Sequence, residues 1–331
     1  MKNKPSRLFA GVDLGGTTIS TVLVNESGIV LSRTKCLTES ILGVDAVVER
    51  IVHSVKEVCR LHNINDKNLD GIGIGSPGPL STKTGIVIDA PNLNGWVNVP
   101  LRDKVQASFT SKVYLDNDAN AAAFGEYWKG AGQGFQNIIV ITLGTGVGGG
   151  LIFDGKLLRG PDDNAGELGH MPVFPEGPAC NCGGKGCLEL YASATGLVNR
   201  AKDSLKAGAS SKVMDLCQGD INKITSKMLH EACLLGDSFA IEVFRETGYY
   251  IGITAAGLVN LLNPELIILF GGVIGAGDFL FNPVREEIDR RAYPISAQRV
   301  KLVPAILGND AGAIGAAGIA YQEFFPDEFA L

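Results

Sequence analysis

The chain has 331 residues, with 29 basic and 35 acidic side chains and a formal net charge of −6. That length suffices for one large or two medium domains with filled cores, and the acidic balance argues against nucleic acid or an anionic membrane as the main partner, because both select a clustered basic surface. No apolar run is long enough for a secretory leader or a membrane span, and seven partly clustered cysteines suit a metal in a reducing compartment better than disulfides, so the expected location is cytoplasmic.

Residues 8–37 read as three strands. The first ends near Asp13, Gly15 and Gly16 make a tight turn, 18–24 are rich in β-branched residues, and Asn25 to Gly28 turn into a third strand from Ile29. Apolar residues at helical spacing (Val44, Val47, Val48, Ile51, Val55, Val58, Leu61) predict a helix over 44–64, and a strand follows over 69–76. The stretch 116-DNDANAAAFGEYWKGAG-132 reads as a helix opened by three polar residues. Residues 138–160 repeat the opening pattern of strand, glycine turn, strand, Asp-Gly turn and short strand, a weak internal duplication. The polar region 203–228 is placed only loosely. Then 230–262 is mainly helical, 265–272 is a strand ending in glycines, and 310–325 is a helix of small residues. Strands alternating with helices make this an α/β protein.

Two stretches match the dinucleotide pattern GxGxxG: Gly73, Gly75, Gly78 and Gly144, Gly146, Gly149. That reading needs a helix directly after the glycines, to receive the pyrophosphate at its N-terminus. The first match runs into Pro77 and Pro79, the second into strand and turn chemistry, so neither context fits. Glycine hairpins can still cradle phosphate, because a turn without β-carbons lets backbone N–H groups approach anionic oxygens. Asp13 just before one such turn suggests Mg²⁺ held directly or through water, and Thr17, Thr18 and Thr145 add hydroxyl donors.

Asp118 reads as the N-cap of its helix. A bland reading leaves it there. A functional one notes that the helix N-terminus keeps this carboxylate ionised, fit to take a proton from an alcohol attacking phosphorus. His170, Cys180, Cys182 and Cys187 form a Cys₃His set with the composition of a structural zinc site, closed to substrate by its four protein ligands. Joining His170 to Cys187 would bring Glu167 and Glu189 into one neighbourhood, where carboxylates and the second imidazole nitrogen could grip sugar hydroxyls.

Asp13-Leu14-Gly15-Gly16-Thr17, with Leu143-Gly144-Thr145-Gly146 and Phe270-Gly271-Gly272, resembles the nucleotide site of the sugar kinase, actin and heat-shock ATPase superfamily. That resemblance implies two ribonuclease H-like domains with ATP in the cleft between them. The wider pattern, ELGH followed by CNCGGKGCLE, with DNDANAAAFGE and DLGGT, resembles the ROK family of repressors, open reading frames and kinases, over about Leu8 to Tyr321. Its repressors carry an N-terminal helix-turn-helix, and with about seven residues ahead of the first strand the kinase branch is expected. Within it, 188-LELYASATGL-197 and 91-PNLNGWVNVPL-101 are similar to bacterial glucokinases.

The resemblance implies ATP-dependent phosphorylation of a hexose 6-hydroxyl, glucose first, with mannose, fructose, N-acetylglucosamine or N-acetylmannosamine as alternatives and a non-catalytic sugar sensor as another. It implies Asp118 as the base and Asn117, Glu167, His170 and Glu189 as sugar ligands, with Asn92 a weaker candidate. Asp13 would help hold the Mg²⁺ that travels with ATP; Gly15, Gly16, Thr17, Thr18, Gly144, Thr145, Gly146, Gly271 and Gly272 would bind the nucleotide. Thr18 stands where many members have lysine or asparagine. A homodimer or homotetramer is expected, with a small domain over 1–118 plus about 311–331, and a larger one over 119–310 carrying the zinc motif.

Overall fold

The run LFAGVDL becomes β1 (Leu8–Leu14), a central strand with most of its residues buried. The computed structural model describes residues 6–329, so the first five residues of the stretch read for a leader lie outside it. β2 (Thr18–Asn25) and β3 (Val30–Leu37) extend the sheet antiparallel on one side of β1. After α1 (Val44–Leu61), β4 (Gly71–Ser76) pairs parallel on the other side. β5 (Leu80–Ser81), β6 (Ile86–Asp89) and β7 (Val97–Val99) form a small antiparallel sheet of their own, which the sequence reading did not foresee. Next come α2 (Leu101–Gln106), then β8 (Val113–Asn117), parallel to β4, and α3 (Asp118–Lys129).

The duplication runs deeper than its sequence trace. β9 (Ile138–Leu143), β10 (Val147–Phe153) and β11 (Lys156–Leu157) open a second five-stranded sheet. Helices α4 (Glu189–Ala192), α5 (Ala194–Lys206), α6 (Val213–Leu216), α7 (Ser226–Leu234) and α8 (Ser238–Leu262) then lead to β12 (Leu266–Phe270). α9 (Asp278–Arg291), α10 (Pro294–Arg299), β13 (Lys301–Pro304) and α11 (Ala311–Phe324) finish the chain. The first sheet has the order β3-β2-β1-β4-β8 and the second β11-β10-β9-β12-β13, the same permutation. None of the helices is long and apolar enough to cross a membrane, among the described residues.

In the first sheet the strand period of two separates two faces. Ala10, Val12 and Leu14 join Val47, Ile51, Val55 and Val58 of α1 in one buried cluster. Phe9, Gly11 and Asp13 face α11: Phe9 stacks 4.7 Å from Tyr321, and a Cβ on Gly11 would run into the Ala313 carbonyl. The alanines and glycines of α11 therefore let its backbone lie almost directly on the sheet. α3 packs on α11 the same way, since a Cβ on Gly315 would strike the Ala121 carbonyl and one on Gly125 the Ala311 carbonyl.

That packing moves the expected division. The described residues form two compact units, one holding 6–136, 150–166 and 306–329, the other Asn137–Gly149 and Glu167–Ala305. The expected boundary at 118/119 would have parted α3 from α11; the close backbone approach instead keeps both in the first unit.

Candidate active site

β8 delivers its last residues into a tight corner. Asp116 is buried, with 2% of its surface exposed, and its Oδ1 accepts from Asn117 N at 2.8 Å and from Asn120 Nδ2 at 2.9 Å. Arg159 Nε donates to the other oxygen at 2.8 Å. Burial opposes the Arg159 charge, but the field and hydrogen bond of Asp116 together with Tyr114 and Glu323 outweigh it and hold that guanidinium well above its ordinary value. The helix cap is Asn117 rather than Asp118: its Oδ1 accepts from Ala119 N at 2.8 Å and Asn120 N at 3.3 Å. Asp118 is thus the first helical residue, half-buried, and its Oδ1 accepts from Ala119 N at 2.8 Å. The cap goes to Asn117 because its backbone is still extended, the geometry in which a side-chain oxygen reaches the first helical N–H groups.

Asp13, next to last in β1, lies on the face that carries α11, where Gly312 leaves room for its carboxyl. Burial pushes that carboxyl up to about 6, with Lys35 opposing. The turn beyond it is closed by Gly15 N to Thr18 O at 3.0 Å, by Thr38 N to Thr17 O at 2.9 Å and by Thr38 Oγ1 to Gly15 O at 2.7 Å. Gly16 and Thr17 are left exposed at its tip. The loop carrying Asn92 lies beside this turn, 3.2 Å from where a Cβ on Gly16 would stand. Neither dinucleotide match is followed by a helix: β4 leads to β5, and Gly144 leads into β10.

In the second unit the turn between β9 and β10 closes on Gly144 N to Gly146 O at 3.0 Å. Gly271 follows β12 with φ 109°, and a Cβ there would strike the Leu143 carbonyl. Only glycine satisfies both demands, and the Gly271-Gly272 turn is thereby set against the end of β9.

His170, Cys180, Cys182 and Cys187 come together with all four ligand atoms within 4.8 Å of one another. Cys182 and Cys187 sulfurs are 3.6 Å apart, and Cys180 Sγ is 3.8 Å from His170 Nδ1. Ligand atoms about 2.3 Å from a tetrahedral ion stand about 3.8 Å apart, so the set fits such an ion. With Nδ1 turned to the sulfurs, Nε2 points to Glu167, 3.9 Å from its Oε2. Gly183 and Gly186 make the loop possible: both have positive φ, and a Cβ on Gly186 would strike the Phe174 carbonyl. Glu189 begins α4, and its Oε2 accepts from Val147 N at 3.0 Å.

The structure therefore gathers Asn92, Asp13 and Gly15 to Thr18 in one part of the first unit and Asn117 with Asp118 at one corner of it. It sets Glu167 by His170, and Glu189 on the 144–146 turn, in the second. Sequence reasoning missed Arg159 and the Glu189–Val147 bond. A lone arginine after a short strand carries no motif, and nothing in spacing links residue 147 to 189.

A ROK family model matches residues 9–323. The chain is 40% identical over 319 residues to the glucokinase of Halalkalibacterium halodurans, covering 96% of each. It superposes on the crystal structure of a ROK family glucokinase from Streptomyces griseus in complex with glucose and AMPPNP with a TM-score of 0.80 and 38% identity, over 95% of this chain and 99% of that one. It is also 31% identical to the xylose repressor of Bacillus spizizenii, over 97% of this chain and 79% of that protein.

Proposed function

The chain belongs to the ROK family, and on that premise we propose that it transfers the γ-phosphoryl group of ATP to the 6-hydroxyl of glucose, forming glucose 6-phosphate. The fold is the α/β actin- and hexokinase-like ATPase fold, with its ribonuclease H-like sheet present twice. The observation that supports the chemistry best is the β8–α3 corner, where a half-buried carboxylate stands at a capped helix start. Asp118 takes the proton of the sugar 6-hydroxyl as that oxygen bonds to the γ-phosphorus; the bond from phosphorus to the bridging oxygen breaks and ADP leaves. A helix N-terminus favours the ionised form needed for this step.

Asn117 spends its carbonyl on the cap, which leaves its amide as the group to donate to a hydroxyl. Glu167, Glu189 and His170 Nε2 take the ring hydroxyls, with Asn92 a lesser contact. Gly15, Gly16, Thr17, Thr18, Gly144, Thr145, Gly146, Gly271 and Gly272 take the nucleotide, and Asp13 faces the Mg²⁺ it carries, which offsets phosphate charge. The Cys₃His set holds zinc as a structural ion, because four protein ligands leave no position for substrate. We place the enzyme in the cytoplasm as a homodimer or homotetramer, the latter to be read by sedimentation.

A coupled ADP-release assay across glucose, mannose, fructose, N-acetylglucosamine and N-acetylmannosamine tests the reading. Fastest turnover with glucose is expected, and no ADP release with any hexose would sink it. The similarity to a repressor supports one other reading, a sensor that binds sugar without turning it over. Sugar binding by calorimetry with no ADP release would favour it.

A further inference from the structure

We propose that Glu189 is a positioning residue for the nucleotide's phosphates as well as a ligand for the sugar. The inference rests on the kinase reading and adds a physical link inside the second unit. Glu189 Oε2 accepts from the Val147 amide at 3.0 Å, and Val147 is the first residue after the Gly144–Gly146 turn. Gly146 leaves room for the same carboxylate: a Cβ there would run into Glu189 Oε2, which would have to move aside.

The grip on this turn has further points. A Cβ on Gly169, the neighbour of His170, would strike the Val147 carbonyl, so that backbone closes on Val147 from the other side. Ala194 N donates to Gly144 O at 2.9 Å. Ser193, between Glu189 and that amide, ties them together: its Oγ donates to Glu189 O at 2.7 Å and caps α5 by accepting from Gly196 N at 2.9 Å. The turn's remaining bonds, Gly144 N to Gly146 O at 3.0 Å and Gly148 N to Thr142 Oγ1 at 3.1 Å, close it on itself. The turn that would cradle phosphate is therefore held from outside by residues 169, 189 and 194, which flank or follow the His170–Cys187 motif. An N–H bonded to a carboxylate is among the stronger hydrogen bonds, and losing it frees the turn.

Calorimetry on the zinc-loaded protein tests this in two directions. Glu189→Ala should weaken Mg²⁺–AMPPNP binding about tenfold with no sugar present, a loss that a sugar ligand alone would not cause. Glu189→Gln keeps an acceptor oxygen for Val147 and should hold nucleotide affinity to within about twofold of the parent. In reverse, Gly146→Ala should weaken glucose binding about tenfold with no nucleotide present, by displacing the Glu189 carboxylate, and should cause no further loss in the Glu189→Ala background. Wild-type AMPPNP affinity in Glu189→Ala, or wild-type glucose affinity in Gly146→Ala, overturns the link. If the parent protein binds no hexose, the kinase reading fails and the AMPPNP arm still decides the link.

Discussion

Arg159 Nε donates to Asp116 Oδ2 at 2.8 Å, while the other oxygen of this buried carboxylate holds Asn117 N and Asn120 Nδ2. One ion pair thus secures both the end of β8 and the first turn of α3, the corner that carries Asp118. Arg159 Nη2 reaches on to Glu323 of α11 at 3.1 Å. Removing one partner of a buried pair strands the other charge, so Arg159→Ala is expected to cost about 3–5 kcal/mol in urea unfolding. Arg159→Lys should recover part of that loss, and Asp116→Asn combined with Arg159→Ala should be less harmful than Arg159→Ala alone.

Asp118→Asn keeps the size of the side chain and removes the carboxylate proposed as the base. Turnover in the ADP-release assay should fall by about 10²- to 10⁴-fold. Glucose affinity should stay within a few-fold, because the proposed ring contacts come from other residues. Near-normal turnover would refute Asp118 as the base.

Removing the proposed zinc should untie His170 from Cys187 and loosen both segments that bear on Val147. Dialysis against a chelator should lower glucose affinity most. AMPPNP affinity should fall by a smaller factor, through the Glu189–Val147 bond. Glucose binding equal to that of the metal-loaded protein would end the idea of a structural clamp.

Asp13 sets a pH dependence of known sign. Its carboxyl is raised by burial from an ordinary 3.8 to about 6. Between those values the folded protein holds a proton that the unfolded chain has released, so this group's contribution to stability falls as pH rises through the window. Asp13→Asn should therefore raise the melting temperature of the unliganded protein at pH 8 and leave it nearly unchanged at pH 4. The same substitution should weaken Mg²⁺–AMPPNP binding at pH 8.

Gly315 sits where α11 meets α3, and a Cβ there would strike the Ala121 carbonyl. Gly315→Ala adds a good helix former, yet it should destabilise by about 1–3 kcal/mol or more, since two backbones must part. A gain in stability would mean that the two helices have room to shift.

The periodic elements were legible because each is decided within its own few residues. The helix expected over 44–64 is α1, and the helical region 230–262 with the strand expected over 265–272 is the end of α7, then α8 and β12. The hairpin duplication was visible because glycine turns leave a local mark; its extension to β4 with β12 and β8 with β13 was not, since parallel pairing joins strands far apart in the chain. Short strands β5 to β7 escaped because two to four residues carry no period. The cap at residue 118 was placed one position late: Asn and Asp both suit that role, and only backbone conformation chooses between them.

By itself the sequence determined the class of the fold, the Cys₃His set and the glycine turns, and it singled out the carboxylates proposed for the chemistry, because each is written in residue type and short spacing. Only the tertiary structure decided that α3 stays with α11, that Arg159 neutralises Asp116, and that Glu189 grips the amide behind the 144–146 turn. Those relations join residues 42 or more positions apart, and a hydrogen bond depends on where two atoms end up in space rather than on their separation along the chain.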